Sequence, residues 1–251
     1  MPYGRGIDVS KPMRLNRILS SAGLTSRRKA DEWIRQGRIT LNGRKVRTLG
    51  TTALWGTDLI AVDHQPIPGP SGRVYLMLNK PFGTVCTLHD PQGRPVVTDL
   101  IEDISVRVYP VGRLDFDSLG LLLLTNDGEW AYRLTHPSYE IPRTYKATVW
   151  GQVPEEALIR LRSGVMLDDG PSGPSKADLI QHGPDRSIVR ITINQGRSRQ
   201  VRRMLDAVGF KTIQLMRTAF GALTLGDLKV GRYRHLTPDE VRAMQKQVGL
   251  A

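Results

Sequence analysis

The chain has 251 residues but a single cysteine, Cys86. That excludes an internal disulfide and a cysteine-rich metal site, and it fits a reducing, cytoplasmic setting. Acidic residues are scarce: 24 Asp and Glu stand against 36 Lys and Arg, for a net charge of +12. Long apolar runs are missing, since none approaches the ~18 residues of a membrane span, so no membrane partner is expected. The opening "MPYGRGIDVSKP" is polar, without the apolar stretch of a signal peptide. No internal repeat is visible. The length suits one large domain or a large and a small one, and 39% hydrophobic residues can fill a core. A monomer is expected.

The positive charge is not spread evenly. From Met13 to Arg47 there are ten Lys/Arg against Asp31 and Glu32; from Arg190 to Arg217 there are seven against Asp206. These stretches carry +8 and +6, which leaves −2 for the rest. A basic balance held in two blocks favours a polyanion partner over a generally basic surface.

Periodicity divides the chain. Residues 1–12 read as a loose tail. In "MRLNRILSSAG", Leu15, Ile18, Leu19 and Ala22 form a helix stripe. "TSRRKADEWIRQG" predicts a second helix with Thr25 or Ser26 as N-cap, Ala30, Trp33 and Ile34 inward, and Gly37 past its end. "RITLNGRKV" predicts a hairpin turning at Asn42-Gly43. Residues 13–65 thus make a small helix-helix-hairpin module, and the Pro/Gly-rich "PIPGPSG" predicts a linker, 66–73, that cannot pair as a strand. A larger domain, 74–251, follows. Val74 to Leu78 reads as a buried strand broken at Pro81-Phe82-Gly83. Leu121 to Leu124 reads as a central strand, and "RTYKATVWG" and "SIVRITINQG" alternate as strands do. Asp127 can cap a short helix; "SRQVRRMLDAVG" has the stripe Val201, Met204, Leu205, Val208; "TPDEV" is a capping box with Pro at the first helical position. The fold class is α+β, with a mixed, mainly antiparallel sheet and flanking helices.

Arg27, Arg28 and Lys29 open the second helix, at the end that already carries partial positive charge. They are a solvated turn or, with Arg14 and Arg17, a phosphate-binding face. Arg35, Arg38 and Lys45 extend that candidate RNA surface, and Arg197, Arg199 and Arg203 form its counterpart in the second basic block. The stretch "MRLNRILSSAGLTSRRKADEWIRQGRITLNGRKV" resembles the RNA-binding domain named after small-subunit ribosomal protein four, which implies a structured RNA partner.

"GRLDFDSLGLLLLTNDGE" sets Arg113, Asp115 and Asp117 against the most apolar segment of the chain. Charges beside a core are unfavourable unless paired or used. Three readings are open: a structural turn with Arg113 paired to Asp115; an Asp-x-Asp metal pair, although no His or third carboxylate follows nearby; or a single catalytic carboxylate held by an arginine.

Four segments resemble, in order, the motifs of pseudouridine synthases of the RsuA/RluB type: "LNKPFGTVCT", "VGRLDFDSLGLLLLTNDGE", "HPSYEIPRTYKATVWG" and "QGRSRQVRRML". The resemblance implies an isomerase that needs no cofactor or metal and acts on ribosomal RNA or an RNA-containing assembly intermediate. It implies Asp115 as catalytic aspartate, Tyr145 as the tyrosine against the target base, and Arg202 as the cation paired with the aspartate. Arg113 is implied to help hold the RNA open. Asp117 has no implied role and reads as a turn residue. Helical spacing puts Arg202 at the edge of the apolar stripe, with Arg199 and Arg203 opposite, free for phosphates. The large-subunit branch is the closer in style. A non-catalytic RNA-binding protein on the same fold is the alternative.

Overall fold

The computed structural model describes residues 10–250. Residues 1–9 of the expected tail lie outside the described residues. The chain divides into two compact units: one runs up to Val74 and takes in Asp103–Val108, and the other comprises Tyr75–Glu102 and Tyr109–Ala251. The larger unit, expected to be continuous from residue 74, is therefore interrupted. Arg107 shows why, because its guanidinium donates to the Thr25 carbonyl of the first unit.

In the first unit, β1 (Met13–Arg14) leads into α1 (Leu15–Ser21) and α2 (Arg27–Arg35). Then come β2 (Ile39–Leu41), β3 (Arg44–Val46), β4 (Thr52–Ala53), β5 (Ile60–Val62) and β6 (Gln65–Pro66). β1 pairs with β4, and the order β3-β2-β5-β6 makes a small sheet. The core is the predicted stripe of Leu15, Ile18 and Leu19 packed with Ala30, Ile34, Ile39 and Trp55. Asn42 and Gly43 both take positive φ, as a two-residue hairpin turn requires. Ser26 caps α2 by accepting from Lys29 N. The linker prediction needs correction at its start. Pro66 pairs with Ala61 in β6, and Trp55 Nε1 donates to the Pro68 carbonyl. A proline is tolerated there because β6 is an edge strand, where no ladder N–H is needed from it.

The second unit is a nine-stranded sheet with helices packed on it. Its elements in chain order are β7 (Tyr75–Lys80), β8 (Tyr109–Val111), β9 (Ser118–Thr125), α3 (Gly128–Thr135), β10 (Arg143–Trp150) and α4 (Glu155–Ser163). A short hairpin, β11 (Met166–Leu167) with β12 (Gly170–Pro171), stands apart from the sheet. The chain continues through β13 (Lys176–His182), β14 (Arg186–Ile193), α5 (Gln200–Ala207), β15 (Thr212–Phe220), β16 (Leu223–Thr224), β17 (Tyr233–His235) and α6 (Pro238–Gln247). The strand order is β13-β14-β10-β15-β9-β7-β17, with β8 on β9 and β16 on β15. The β9–β15 pair is parallel and the other strand pairs of this sheet are antiparallel.

β9 holds the four leucines, and all eight of its residues are buried. Flanked by β7 and β15, it is an interior strand of the sheet. Asp127 caps α3 by accepting from Glu129 N and Trp130 N, and its other oxygen accepts from Tyr75 Oη at 2.8 Å. Thr237 and Glu240 close the predicted capping box on α6.

Candidate active site

The loop before β9 is built from below. The Ser118 N–H donates to the Asp115 carbonyl at 3.1 Å, closing a tight turn over Phe116 and Asp117. Lys80, fully buried at the end of β7, donates through Nζ to the carbonyls of Pro81 at 2.9 Å and Ser118 at 2.8 Å. Burial pulls the Lys80 ammonium below its ordinary pKa, and Cys86, Asp115 and Asp117 partly restore it. Leu114 N donates to the Cys86 sulfur at 3.3 Å. Burial in turn pushes the Cys86 thiol upward. The "NKP" and "RLD" segments are thus one hydrogen-bonded assembly, which holds Asp115 at the N-terminal end of β9.

Asp115 faces a cleft of about 260 Å³. Arg113, Tyr145, Arg197 and Arg199 line it too, so five of the residues singled out in the sequence meet there. Tyr145 projects from β10 opposite Arg217 of β15, and Arg217 is in turn opposite Gly120 of β9. A register shift between Thr144 and Tyr145 on the β15 side produces that alignment. Bulges of this kind re-aim side chains beside functional sites.

Arg143 and Arg217 also line the cleft and were not among the expected site residues. Arg217 is 2% exposed; its Nε donates to the Leu121 carbonyl at 2.7 Å. Arg143 donates to the carbonyls of Ile141 and Asn194, both at 3.2 Å. The two guanidiniums share the Phe220 ring, at 5.3 and 5.1 Å from its centroid. Burial holds Arg143 below the ordinary arginine value. The signal for Arg217 was an arginine inside the apolar "LMRTAF" strand. Among the lining residues five are arginines and one, Asp115, is a carboxylate. Such a cleft suits an anionic ligand that must meet one negative group.

Several expectations are corrected here. Arg202 is buried, as its place at the edge of the stripe predicted, but it does not line the cleft; its direct contact is with Asp117, and Asp115 acts on it only through charge. Its Nη2 donates to the Asp117 carbonyl at 2.9 Å and lies 3.3 Å from Oδ2. Arg199 grips the same carboxylate with two bonds of 3.1 and 3.2 Å. Asp117 does lie in the turn, but it is also the counterion that ties this turn to α5. Burial would raise its pKa; the Arg199 hydrogen bond and the Arg202 and Arg199 charges outweigh that and hold it low. Arg199 and Arg203, expected opposite the stripe and able to face phosphates, each have a carboxylate partner. Arg203 makes a two-bond pair with Asp169, at 2.8 and 3.1 Å, and Arg197 reaches the same Asp169 at 3.0 Å. Asp169 sits between β11 and β12, a place no spacing argument connects to α5.

In the first unit, Arg14, Arg17, Arg27, Arg28, Lys29, Arg35 and Lys45 are exposed. Lys29 pairs with Glu32 at 2.6 Å. Arg38 is half-buried, ion-paired with Asp63 and stacked over Trp33 at 4.6 Å from the ring centroid. Among the described residues no group of three or more His, Cys, Asp or Glu side chains is arranged to hold a metal ion, and no helix is long and apolar enough to cross a membrane.

Residues 74–207 match the RNA pseudouridylate synthase family, and residues 13–56 match the S4 domain. The chain is 44% identical over 234 residues to ribosomal large subunit pseudouridine synthase B of Bacillus subtilis, covering 92% of this chain and 95% of the relative. It is 36% identical over 235 residues to ribosomal small subunit pseudouridine synthase A of Yersinia pestis, covering 92% and 98%. A crystal structure of a pseudouridylate synthase superposes with a TM-score of 0.67 at 32% identity, over 92% of this chain and 99% of the other. Matches that run across both units, on a chain whose aspartate, tyrosine and arginines converge on one cleft, establish that this protein belongs to the RNA pseudouridylate synthase family and carries an S4 domain ahead of the synthase domain.

Proposed function

We propose that this enzyme converts a specific uridine of large-subunit ribosomal RNA to pseudouridine, with Asp115 as the catalytic carboxylate. The observation that carries the reading is the cleft itself: one carboxylate, one buried tyrosine and five arginines, held at the end of a fully buried strand. The large-subunit target is supported by the higher identity to the relative named for that subunit.

In the reaction the bond from ribose C1′ to uracil N1 breaks, the base turns, and C1′ rejoins at C5. C5 gives up a proton and N1 gains one, so no electrons are transferred overall. Asp115 acts at the sugar or the base as nucleophile or base. The uridine leaves its stack to reach it, as in other base-modifying enzymes. Tyr145 offers the extruded ring an aromatic face, and stacking of this kind contributes about 1–3 kcal/mol. Arg113, exposed at the cleft edge, holds the opened RNA, while Arg197 and Arg199 keep their Asp169 and Asp117 partners and form the cleft wall. Arg202 acts through Asp117: by holding the turn that follows Asp115, it positions the carboxylate without touching the base. The S4 domain supplies affinity for structured RNA through its exposed cations.

The test is tritium release from ribosomal RNA transcripts labelled at uracil C5, with the modified position mapped afterwards. The wild-type chain is expected to release label from large-subunit RNA. Asp115→Asn is expected to release none while binding RNA within a few-fold of wild type. Turnover by that variant near the normal rate removes Asp115 from the chemistry.

A further inference from the structure

We propose that Phe82 and Phe116 form a stacking shelf for an unpaired RNA base adjacent to the target uridine. This rests on the reading of the cleft as a uridine-isomerising site. The chain has four phenylalanines. Two of them stand together in water at this one place, Phe82 62% exposed and Phe116 43% exposed, with ring centroids 6.1 Å apart and planes tilted by 54°. Phe116 immediately follows Asp115, so the pair sits one residue from the carboxylate.

Neither ring is on a loose loop. Gly83 N donates to the Phe116 carbonyl at 2.9 Å, tying the two turns together. Lys80, buried beneath them, bonds the carbonyls of Pro81 and Ser118 on either side. The Arg94 guanidinium lies 5.9 Å from the Phe116 ring centroid and is fixed by bonds of 3.0 and 2.8 Å to Asp90. The result is a pair of rings on a fixed backbone, flanked by a cation. Proteins that bind single-stranded RNA use this combination, because any base has a face to stack and the neighbouring cation favours the anionic strand.

The chemistry creates the need for it. Extruding a uridine leaves its neighbours without a stacking partner. A ring pair beside the carboxylate is placed to take one of them. RNA is favoured over a protein partner by charge, since the cleft next to the shelf is lined by five arginines and the chain carries +12. An apolar protein segment would gain nothing from that field.

Two measurements test the shelf. The first is binding of a short synthetic RNA with one central uridine, either intact or with abasic residues on both sides of it. Wild type is expected to bind the abasic RNA about 10-fold more weakly. The Phe82→Leu/Phe116→Leu variant is expected to bind the intact RNA about 10-fold more weakly and to lose nothing further on the abasic one. Losses that simply multiply overturn the proposal. The second is turnover on naked ribosomal RNA. The Leu variant is expected to lose about 10-fold in kcat/KM, with single-turnover rate at saturating RNA nearly unchanged, and Phe82→Tyr/Phe116→Tyr is expected to recover it. Equal loss in the Tyr and Leu variants, or a loss seen only on protein-containing ribosomal particles, also overturns it; the latter would assign the rings to a protein contact. Thermal unfolding of both variants is expected to match wild type, because the rings are exposed. Binding is read without turnover, so a chain that bound as expected yet isomerised no uridine would refute the catalytic reading alone.

Discussion

At the residue scale, Asp117 is where the structure adds most. It reads as a turn residue because aspartates are common in turns. What it does there depends on Arg199 and Arg202, more than 80 positions away in the chain. Replacing the carboxylate by an amide keeps the shape but downgrades charge-assisted bonds to neutral ones, a difference of about 1–1.5 kcal/mol. Asp117→Asn is therefore expected to lower the saturated single-turnover rate about 10-fold while RNA affinity moves little. Wild-type turnover in that variant would return Asp117 to a plain turn, and complete inactivity would give it a direct part in the chemistry. Asp115 and Tyr145 were legible because each lies inside a recognisable run. Arg143 was not, since arginine in an alternating strand reads as an outward residue, and Arg217 was marked only by its place inside an apolar run. The neighbouring Phe220 ring and the backbone carbonyls that accept from them make the inward position favourable.

At the element scale, the caps and turns were legible and the order of strands was not. Asn42-Gly43, Ser26, Asp127 and the Thr237/Glu240 box are local chemistry, so each works where its sequence predicts. The β9–β15 pairing joins strands about 90 residues apart, and its demands are invisible locally. Gly120 is the sharpest of them. A Cβ there would lie 2.2 Å from the Arg217 carbonyl oxygen, on a residue with φ of +102°. Gly120→Ala combines backbone overlap with a left-handed conformation, and is expected to destabilise the synthase unit by at least about 3 kcal/mol. Thermal unfolding should show that as a Tm lower by roughly 6–12 °C, with activity lost as the Tyr145–Arg217 row moves. An unshifted Tm would mean that the two strands part easily at this point.

At the scale of the whole molecule, charge decides affinity and acid tolerance. Arg27, Arg28 and Lys29 belong to the first unit and Asp115 to the second. Their joint replacement by alanine is expected to flatten the log–log salt dependence of RNA binding by up to ~2–3, toward the lower figure because Lys29 already has Glu32. The saturated chemical step should hardly change. An unchanged slope would make these residues a solvated face, and a collapsed saturated rate would give the S4 domain a part in building the active site. Acid acts on the same ion pairs from the other side. Arg94 holds Asp90 at about 2, and Asp117, Asp169 and Glu240 are also held low by arginines. Their folded pKa values lie below the unfolded ones of about 4, so the stability they contribute is present above that pH and is lost as pH falls through the folded values. Tm is expected to be flat from neutrality down to about pH 5 and to drop between about pH 4 and 2. A drop beginning near pH 6 would point to histidines instead.

By itself, the sequence determined the two basic blocks, the small module, the leucine strand with Asp115 at its end, and the stripe and caps of the helices. These follow from composition and from contacts a few residues long, which act the same way wherever the chain later goes. Tertiary structure alone decided the partners of the charges. Arginines chosen for phosphate were taken by Asp63, Asp117 and Asp169, and the cation expected on Asp115 went to its neighbour two residues on. A guanidinium on a long side chain pairs with whichever carboxylate the fold brings near; most of these pairs stay exposed and weak, and burial makes the choice costly to undo only at Arg202. Spacing along the chain sets the direction in which a side chain leaves the backbone; it does not say what will be waiting there.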